Sequence, residues 1–173
     1  MRYIGVDQHK RFSYIAVMDE RGRVVKEGKV VNEREALKKF LSSCKDGKAE
    51  GVLEAGPNWT YMYDWLEGEI EGVKLAHPLK VKAIADAKIK TDKIDAKVLA
   101  HLLRADLIPE AYVPKGETRK VKNILRQRMF FIRMQTMVKN KIQAALDRHP
   151  EVSSEFLGTD LFGKQGMEYL AHI

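Results

Sequence analysis

Apolar and polar positions alternate with a period near two over residues 2–31, and this predicts three short strands. Tyr3, Ile4 and Val6 lead up to Asp7; Phe12, Tyr14, Ile15 and Val17 form the second run; Val24, Val25, Val30 and Val31 form the third. The turn residues Asp19-Glu20-Arg21-Gly22 separate the second run from the third. Strands this close in sequence must be antiparallel, because a parallel return needs a crossover of about a dozen residues. The period then lengthens. Asn32 with Glu35 three residues on has the form of a capping box, and Ala36, Leu37, Phe40 and Leu41 give the stripe of a helix reaching about Ser43. Val52 and Leu53 run into Glu54, Ala55-Gly56-Pro57-Asn58 breaks the strand, a helix follows over about 59–70, and Val73 to Ala76 forms a last strand before His77-Pro78. A meander followed by helix, strand, helix, strand predicts an α/β sheet with parallel pairs.

Residues 79–104 read as helical with a break near Lys88 to Lys90. Thr91 is placed to cap a helix that carries Ile94, Val98, Leu99, Leu102 and Leu103. Pro109 and Pro114 mark a connector, and the domain boundary is expected there. From Glu117 to His149 there is neither glycine nor proline, which predicts a helix about 50 Å long, ended by Pro150. Ile124, Phe131, Val138 and Ala145 recur every seven residues, the spacing of a seam with another helix. A short amphipathic piece follows Gly163.

Charge sharpens the division. The chain of 173 residues carries a net +7, and residues 115–148 alone hold ten bases against Glu117 and Asp147. Basicity therefore belongs to the long helix, and the rest is close to neutral; a localised basic stripe is the footprint of a polyanion-binding face. The one cysteine, Cys44, excludes an internal disulfide framework and a cysteine-based zinc site. No apolar run approaches the roughly 20 residues of a membrane span. With a strand beginning almost at Met1, no secretory signal is expected, and the sequence is read as cytoplasmic.

Four acids stand where chemistry could use them. Asp7 and Glu54 each end an apolar run, and strand ends in α/β sheets are where sites gather. Asp92 and Asp95, three apart, share one face of the first turn of a helix. Together they could hold divalent ions for phosphodiester cleavage, since carboxylates suit magnesium. Three have a plainer reading: Asp7 as a turn former, Asp92 as a partner of the helix dipole, Asp95 as half of a surface ion pair; Glu54, between Gly-Val-Leu and Ala-Gly, is poorly placed for a solvated face. Lys88, Lys90, Lys93 and Lys97 around the pair favour a place where metal and phosphate meet. His9 and Lys10 could touch a phosphate, although a lone histidine is more often a packing residue. Trp59, Tyr61, Tyr63 and Trp65 could form a stacking platform, but such residues mostly belong to a core.

The segments Gly5-Val6-Asp7-Gln8-His9-Lys10, Leu53-Glu54-Ala55-Gly56, His77-Pro78, Lys90-Thr91-Asp92-Lys93-Ile94-Asp95-Ala96 and Ala145-Leu146-Asp147-Arg148-His149 resemble the DEDD transposases of bacterial and archaeal insertion sequences, a group that includes the pilin-gene invertases. The similarity runs along nearly the whole chain, and Thr91 to Ala96 is its most specific part. The resemblance implies an α/β, RNase H-like (RuvC-like) mixed sheet with flanking helices over 1–114. A long basic coiled-coil helix over 115–150 and the start of a linker over 151–173 would follow. It implies that Asp7, Glu54, Asp92 and Asp95 bind Mg²⁺, with Mn²⁺ as a substitute, for DNA strand cleavage and exchange. It also implies a DNA substrate, a guide RNA, and a homodimer or higher oligomer formed through the long helix. Lys10, Lys88, Lys90, Lys93, Arg119, Lys122, Arg126, Arg133 and Lys139 are the expected nucleic-acid contacts. Full-length relatives continue into a domain with a nucleophilic serine, so this chain is expected to be incomplete for recombination.

Two other classes stay open. In one, the chain is a non-catalytic nucleic-acid-binding and dimerisation module, a transposase fragment whose acids are relics. In the other it is half of an actin-like or sugar-kinase ATPase, which also opens with a strand ending in Gly-x-Asp; the lack of a glycine-rich phosphate loop weighs against that.

Overall fold

The alternation over residues 2–31 folds as β1 (Arg2–Gln8), β2 (Phe12–Met18) and β3 (Val24–Val31), with β2 antiparallel to both neighbours. In the turn before β3, the Asp19 carboxylate accepts from the backbone N–H groups of Arg21 and Arg23. The computed structural model of the protein describes residues 1–42, 44, 47–84, 91–153, 156 and 158–173. After α1 (Arg34–Ser42), β4 (Ala49–Glu54) pairs parallel to β1, and after α2 (Trp59–Glu67), β5 (Gly72–Ala76) pairs parallel to β4. The sheet order is β3-β2-β1-β4-β5. A mixed five-stranded sheet in this order, with helices on both faces, is the RNase H-like (RuvC-like) arrangement. α3 (Pro78–Ile84), α4 (Asp92–Arg104), α5 (Gly116–Leu146), α6 (Pro150–Ser153) and α7 (Lys164–Leu170) complete the chain.

The two faces of the sheet are read off the strand period. Ile4 and Val6 of β1, Ile15 and Val17 of β2, Leu53 of β4 and Leu75 of β5 point to one side, where Leu37 and Leu41 of α1 and Met62, Tyr63 and Leu66 of α2 cover them. Tyr3, Val52 and Ala76 point to the other, against Val81 of α3 and Leu99 and Leu103 of α4. Each fully buried aliphatic side chain larger than alanine among these contributes about 1.5–3 kcal/mol by leaving water, which outweighs any local preference of the short elements. Trp59 and Tyr63 are buried in the first layer and the Tyr63 hydroxyl donates to the Val73 carbonyl, so the aromatic run of α2 is core.

Three boundaries differ from the sequence reading. Asn32 does not cap α1, which begins two residues later; its amide is bonded elsewhere, as described below. β1 runs one residue past Asp7. The long helix ends at Leu146, and Pro150 opens α6, a first-turn position where its missing N–H costs nothing.

The chain forms two units, Met1–Val113 and Pro114–Ile173. The first holds the sheet and α1 to α4. The second is dominated by α5, about 46 Å long. No helix among the described residues is long and apolar enough to cross a membrane.

Candidate metal centre

The sheet register brings the first two acids together. β1 and β4 are parallel and pair Gly5 with Val52 and Val6 with Leu53, so the next step along both strands is Asp7 beside Glu54. Side chains alternate across a strand, and both acids therefore lie on the face of Gly5 and Val52, which is the face that α4 covers.

α4 brings the other two. Its buried positions Ala96, Leu99, Ala100 and Leu103 follow helical spacing, and Asp92 and Asp95 continue that stripe by one turn toward the N-terminus. The helix crosses β1 at Gly5: a Cβ there would collide with the Ala96 carbonyl and stand 2.6 Å from the Ala100 nitrogen. Glycine on the strand and alanines on the helix let the two backbones touch. From that crossing, Asp7 is two residues along the strand and Asp92 one turn back along the helix, both about 6 Å away. Thr91 fixes where the helix starts. Its backbone is extended and its hydroxyl accepts from the Ile94 N–H at 3.3 Å. Glu27 of β3 holds the same turn from the side, with Lys93 at 2.6 Å and Lys97 at 2.8 Å. The two lysines are thus drawn to Glu27, and among the described residues neither pairs with Asp95.

His9 sits in the middle. Its Nε2 lies 3.0 Å from Asp7 Oδ2 and 3.3 Å from Asp92 Oδ1, and these three side chains form a cluster of metal-ligand type with atoms within 4.8 Å of one another. The ring stacks on Phe12 with centroids 4.7 Å apart, and Phe12 carries the Lys29 ammonium on its ring at 3.6 Å. The His9 carbonyl accepts from the Asn32 side-chain amide at 2.8 Å, and the Asn32 oxygen accepts from the buried Ser13 hydroxyl at 2.7 Å. Asn32 was expected to cap a helix and instead ties the β1–β2 turn to β2. The sequence leaves His9 between a phosphate contact and a packing role, because its neighbours in sequence say nothing of Asp92; its position two residues after Asp7, in the three-residue turn before β2, is the usable signal.

Burial pushes the Asp7 carboxyl above its ordinary range, neighbouring His9 pulls it down, and Asp95 and then Asp92 push it up further. Three carboxylates facing one another at a half-buried strand is an excess of negative charge, and hard oxygen donors in that arrangement fit a divalent cation. Asp7, Gln8, His9, Lys10, Glu54 and the turn Gly56-Pro57-Asn58 line an open cleft of about 370 Å³. Lys10 is exposed at that cleft. Lys88 and Lys90 lie outside the described residues.

One set of bases on the long helix lies opposite its apolar heptad series. Arg119, Arg126 and Arg133 recur every seven residues, and Arg126 lies about 200° around the helix from Ile124. Ile124, Phe131 and Val138, the other heptad series, are 67%, 63% and 56% exposed within the chain. Lys122, Leu125, Arg126, Met129, Phe130 and Arg133 line a shallow groove of mixed character. Arg119 donates from Nε to the Pro114 carbonyl at 2.8 Å, and Lys139 stands 5.0 Å from the Phe162 ring.

Residues 4–150 match the DEDD transposase family of the IS110 type, described as transposase. The chain is 31% identical over 130 residues to the transposase for insertion sequence element IS1533 of Leptospira borgpetersenii, an alignment covering 73% of this chain and 38% of that relative. The chain thus spans well under half the length of the relative it matches. Because the family match runs from β1 past the end of α5 and includes all four acids, the chain belongs to the IS110-type DEDD transposase family.

Proposed function

We propose that this chain carries the metal-dependent centre with which an insertion-sequence transposase cleaves and exchanges DNA strands, and that Asp7, Glu54, Asp92 and Asp95 hold two Mg²⁺ ions there, Mn²⁺ substituting. The observation that carries this reading is the convergence of α4 on β1 at Gly5, which sets Asp92 against Asp7 while the register sets Glu54 beside it. Bound ions would activate the attacking water or hydroxyl and stabilise the leaving oxygen. The chain's own part is to hold four carboxylates on a strand pair and a capped helix, positions that do not need to rearrange when ions and phosphate arrive. Lys10 at the cleft would meet substrate phosphates, and Lys93 near the helix start would do so on exchanging its ion pair with Glu27 for a phosphate. Residues 1–114 would be the catalytic unit and 115–150 the coiled coil.

On α5, Arg119, Lys122, Arg126 and Arg133 share a face that would bind nucleic acid, both DNA and a guide RNA, and Lys139, about 120° around the helix from Arg133, would reach it from the side. The apolar series Ile124, Phe131 and Val138 would pack on a second copy of the chain, because side chains of that size at heptad spacing gain about 1.5–3 kcal/mol each when covered. These features of α5 also favour a second reading, in which the chain binds nucleic acid and dimerises without catalysis.

Asp92→Asn in the intact protein separates the two. The catalytic reading expects loss of Mg²⁺-dependent strand cleavage and joining with DNA and RNA binding retained. Unchanged cleavage and joining would reject it and leave the binding module.

A further inference from the structure

We propose that His9 is itself a ligand of the metal centre, its Nε2 sharing an ion with Asp7 and Asp92, so that the centre prefers a first-row transition ion such as Mn²⁺ over Mg²⁺. This rests on the reading of the acids as a metal centre and adds a fifth side chain to it.

The distances carry the inference. Ligands bound at about 2.1 Å to one six-coordinate ion stand about 3.0 Å from each other at neighbouring corners. His9 Nε2 is 3.0 Å from Asp7 Oδ2 and 3.3 Å from Asp92 Oδ1, so the nitrogen stands from each oxygen at about the spacing of neighbouring ligands in one shell, and the three residues offer ligand atoms within 4.8 Å of one another. A hydrogen-bonding role alone explains this less well, because the single hydrogen on Nε2 cannot point squarely at both oxygens. The ring is also held in advance. Phe12 supports one side, and the buried Ser13 hydroxyl orients Asn32, whose amide fixes the His9 carbonyl. The stack on Phe12 and the anchored backbone limit how far the imidazole can swing from this position, which leaves less ordering for an ion to impose. The ring is 39% exposed and lines the open cleft, so an ion can reach it from solvent.

The consequence is selectivity. Magnesium favours an all-oxygen shell rich in water, whereas an imidazole nitrogen is a better ligand for transition ions. An all-carboxylate centre would discriminate weakly between Mg²⁺ and Mn²⁺; one with a nitrogen at the shared ion would discriminate more.

Two measurements on the whole chain test this, with Mn²⁺ as the probe. Electron spin-echo modulation of the Mn²⁺-loaded chain should show coupling to a ligand ¹⁴N, and His9→Ala should remove it. Calorimetric titration should show that His9→Ala weakens Mn²⁺ binding by at least about tenfold while Mg²⁺ binding changes far less, narrowing the ratio between the ions. His9→Gln, which keeps a polar side chain of similar reach, should behave like His9→Ala, and circular dichroism should show both variants folded. Mn²⁺ binding without nitrogen coupling, or with an affinity that His9→Ala leaves unchanged or improves, would overturn the role of His9 and leave the four acids standing. Failure of the unaltered chain to bind Mn²⁺ at all would overturn both readings.

Discussion

Replacing Gly5 by alanine tests how the centre is assembled, because Gly5 is nowhere near the carboxylates in chemistry and yet sets their spacing. The added methyl would overlap the Ala96 carbonyl and approach Ala100 N to 2.6 Å, so α4 must move off the sheet by roughly 1.4 Å or more before the contact becomes an ordinary one. Both obstructing groups are helix backbone and cannot swing aside. Overpacking of this kind costs about 1–3 kcal/mol, or roughly 4–12 °C in melting temperature for a unit of this size. The displacement carries Asp92 and Asp95 away from Asp7 and Glu54, and a misplacement of about 1 Å at a reacting centre is enough to lose about 100-fold in rate. Thermal unfolding followed by circular dichroism, Mn²⁺ titration, and Mg²⁺-dependent strand cleavage by the intact protein should all fall together. Gly56→Ala is the control, since a Cβ there meets nothing within 4 Å and the melting temperature should move by no more than the equivalent of about 1 kcal/mol. A Gly5→Ala protein with the stability and metal affinity of the parent would refute the idea that helix and strand must touch at this point.

Asp7→Asn should raise the melting temperature at neutral pH in chelator, because burial and the facing Asp95 and Asp92 disfavour the Asp7 carboxylate. The folded-state pKa is raised, so the protonated group's stabilising contribution is present below the ordinary value of 3.8 and lost as pH rises through the folded value. The advantage of asparagine should therefore vanish in melts near pH 3 and grow above it; an advantage independent of pH would contradict this account. If α5 pairs with a second copy as proposed, the parent chain is a dimer by light scattering and Phe131→Asp should weaken its association by at least about 100-fold, since each copy would withdraw a phenylalanine from the seam. The sheet unit's melting should not change. Neutralising Arg126 and Arg133 together should lower the slope of log affinity against log salt for duplex DNA by about 2, measured by fluorescence anisotropy. An unchanged slope would remove those residues from the interface.

The sequence alone determined the elements and most of their order. Strand periodicity over 2–31 and the helical stripes of residues 36–41 and 94–103 are set by which side chains must leave water, and that pattern is local. It also isolated the basic helix and marked all four acids, because an acid closing an apolar run, or beginning one on a helix, is visible in a linear string. Asn32 shows where local reading fails. Its spacing to Glu35 is that of a cap, but the tertiary structure offers its amide the His9 carbonyl, the Ser13 hydroxyl and the Tyr61 hydroxyl, and three partners outcompete one orphan N–H. Lys93 points the same way: Glu27, 66 positions earlier in sequence, claims it together with Lys97. That Asp92 comes to Asp7 with His9 between them was decided by tertiary packing: α4 crosses β1 at Gly5, and Asn32 anchors the His9 backbone. A glycine in a strand reads as a weak point in sequence, and only the packed helix reveals that the missing side chain is the space into which the centre closes.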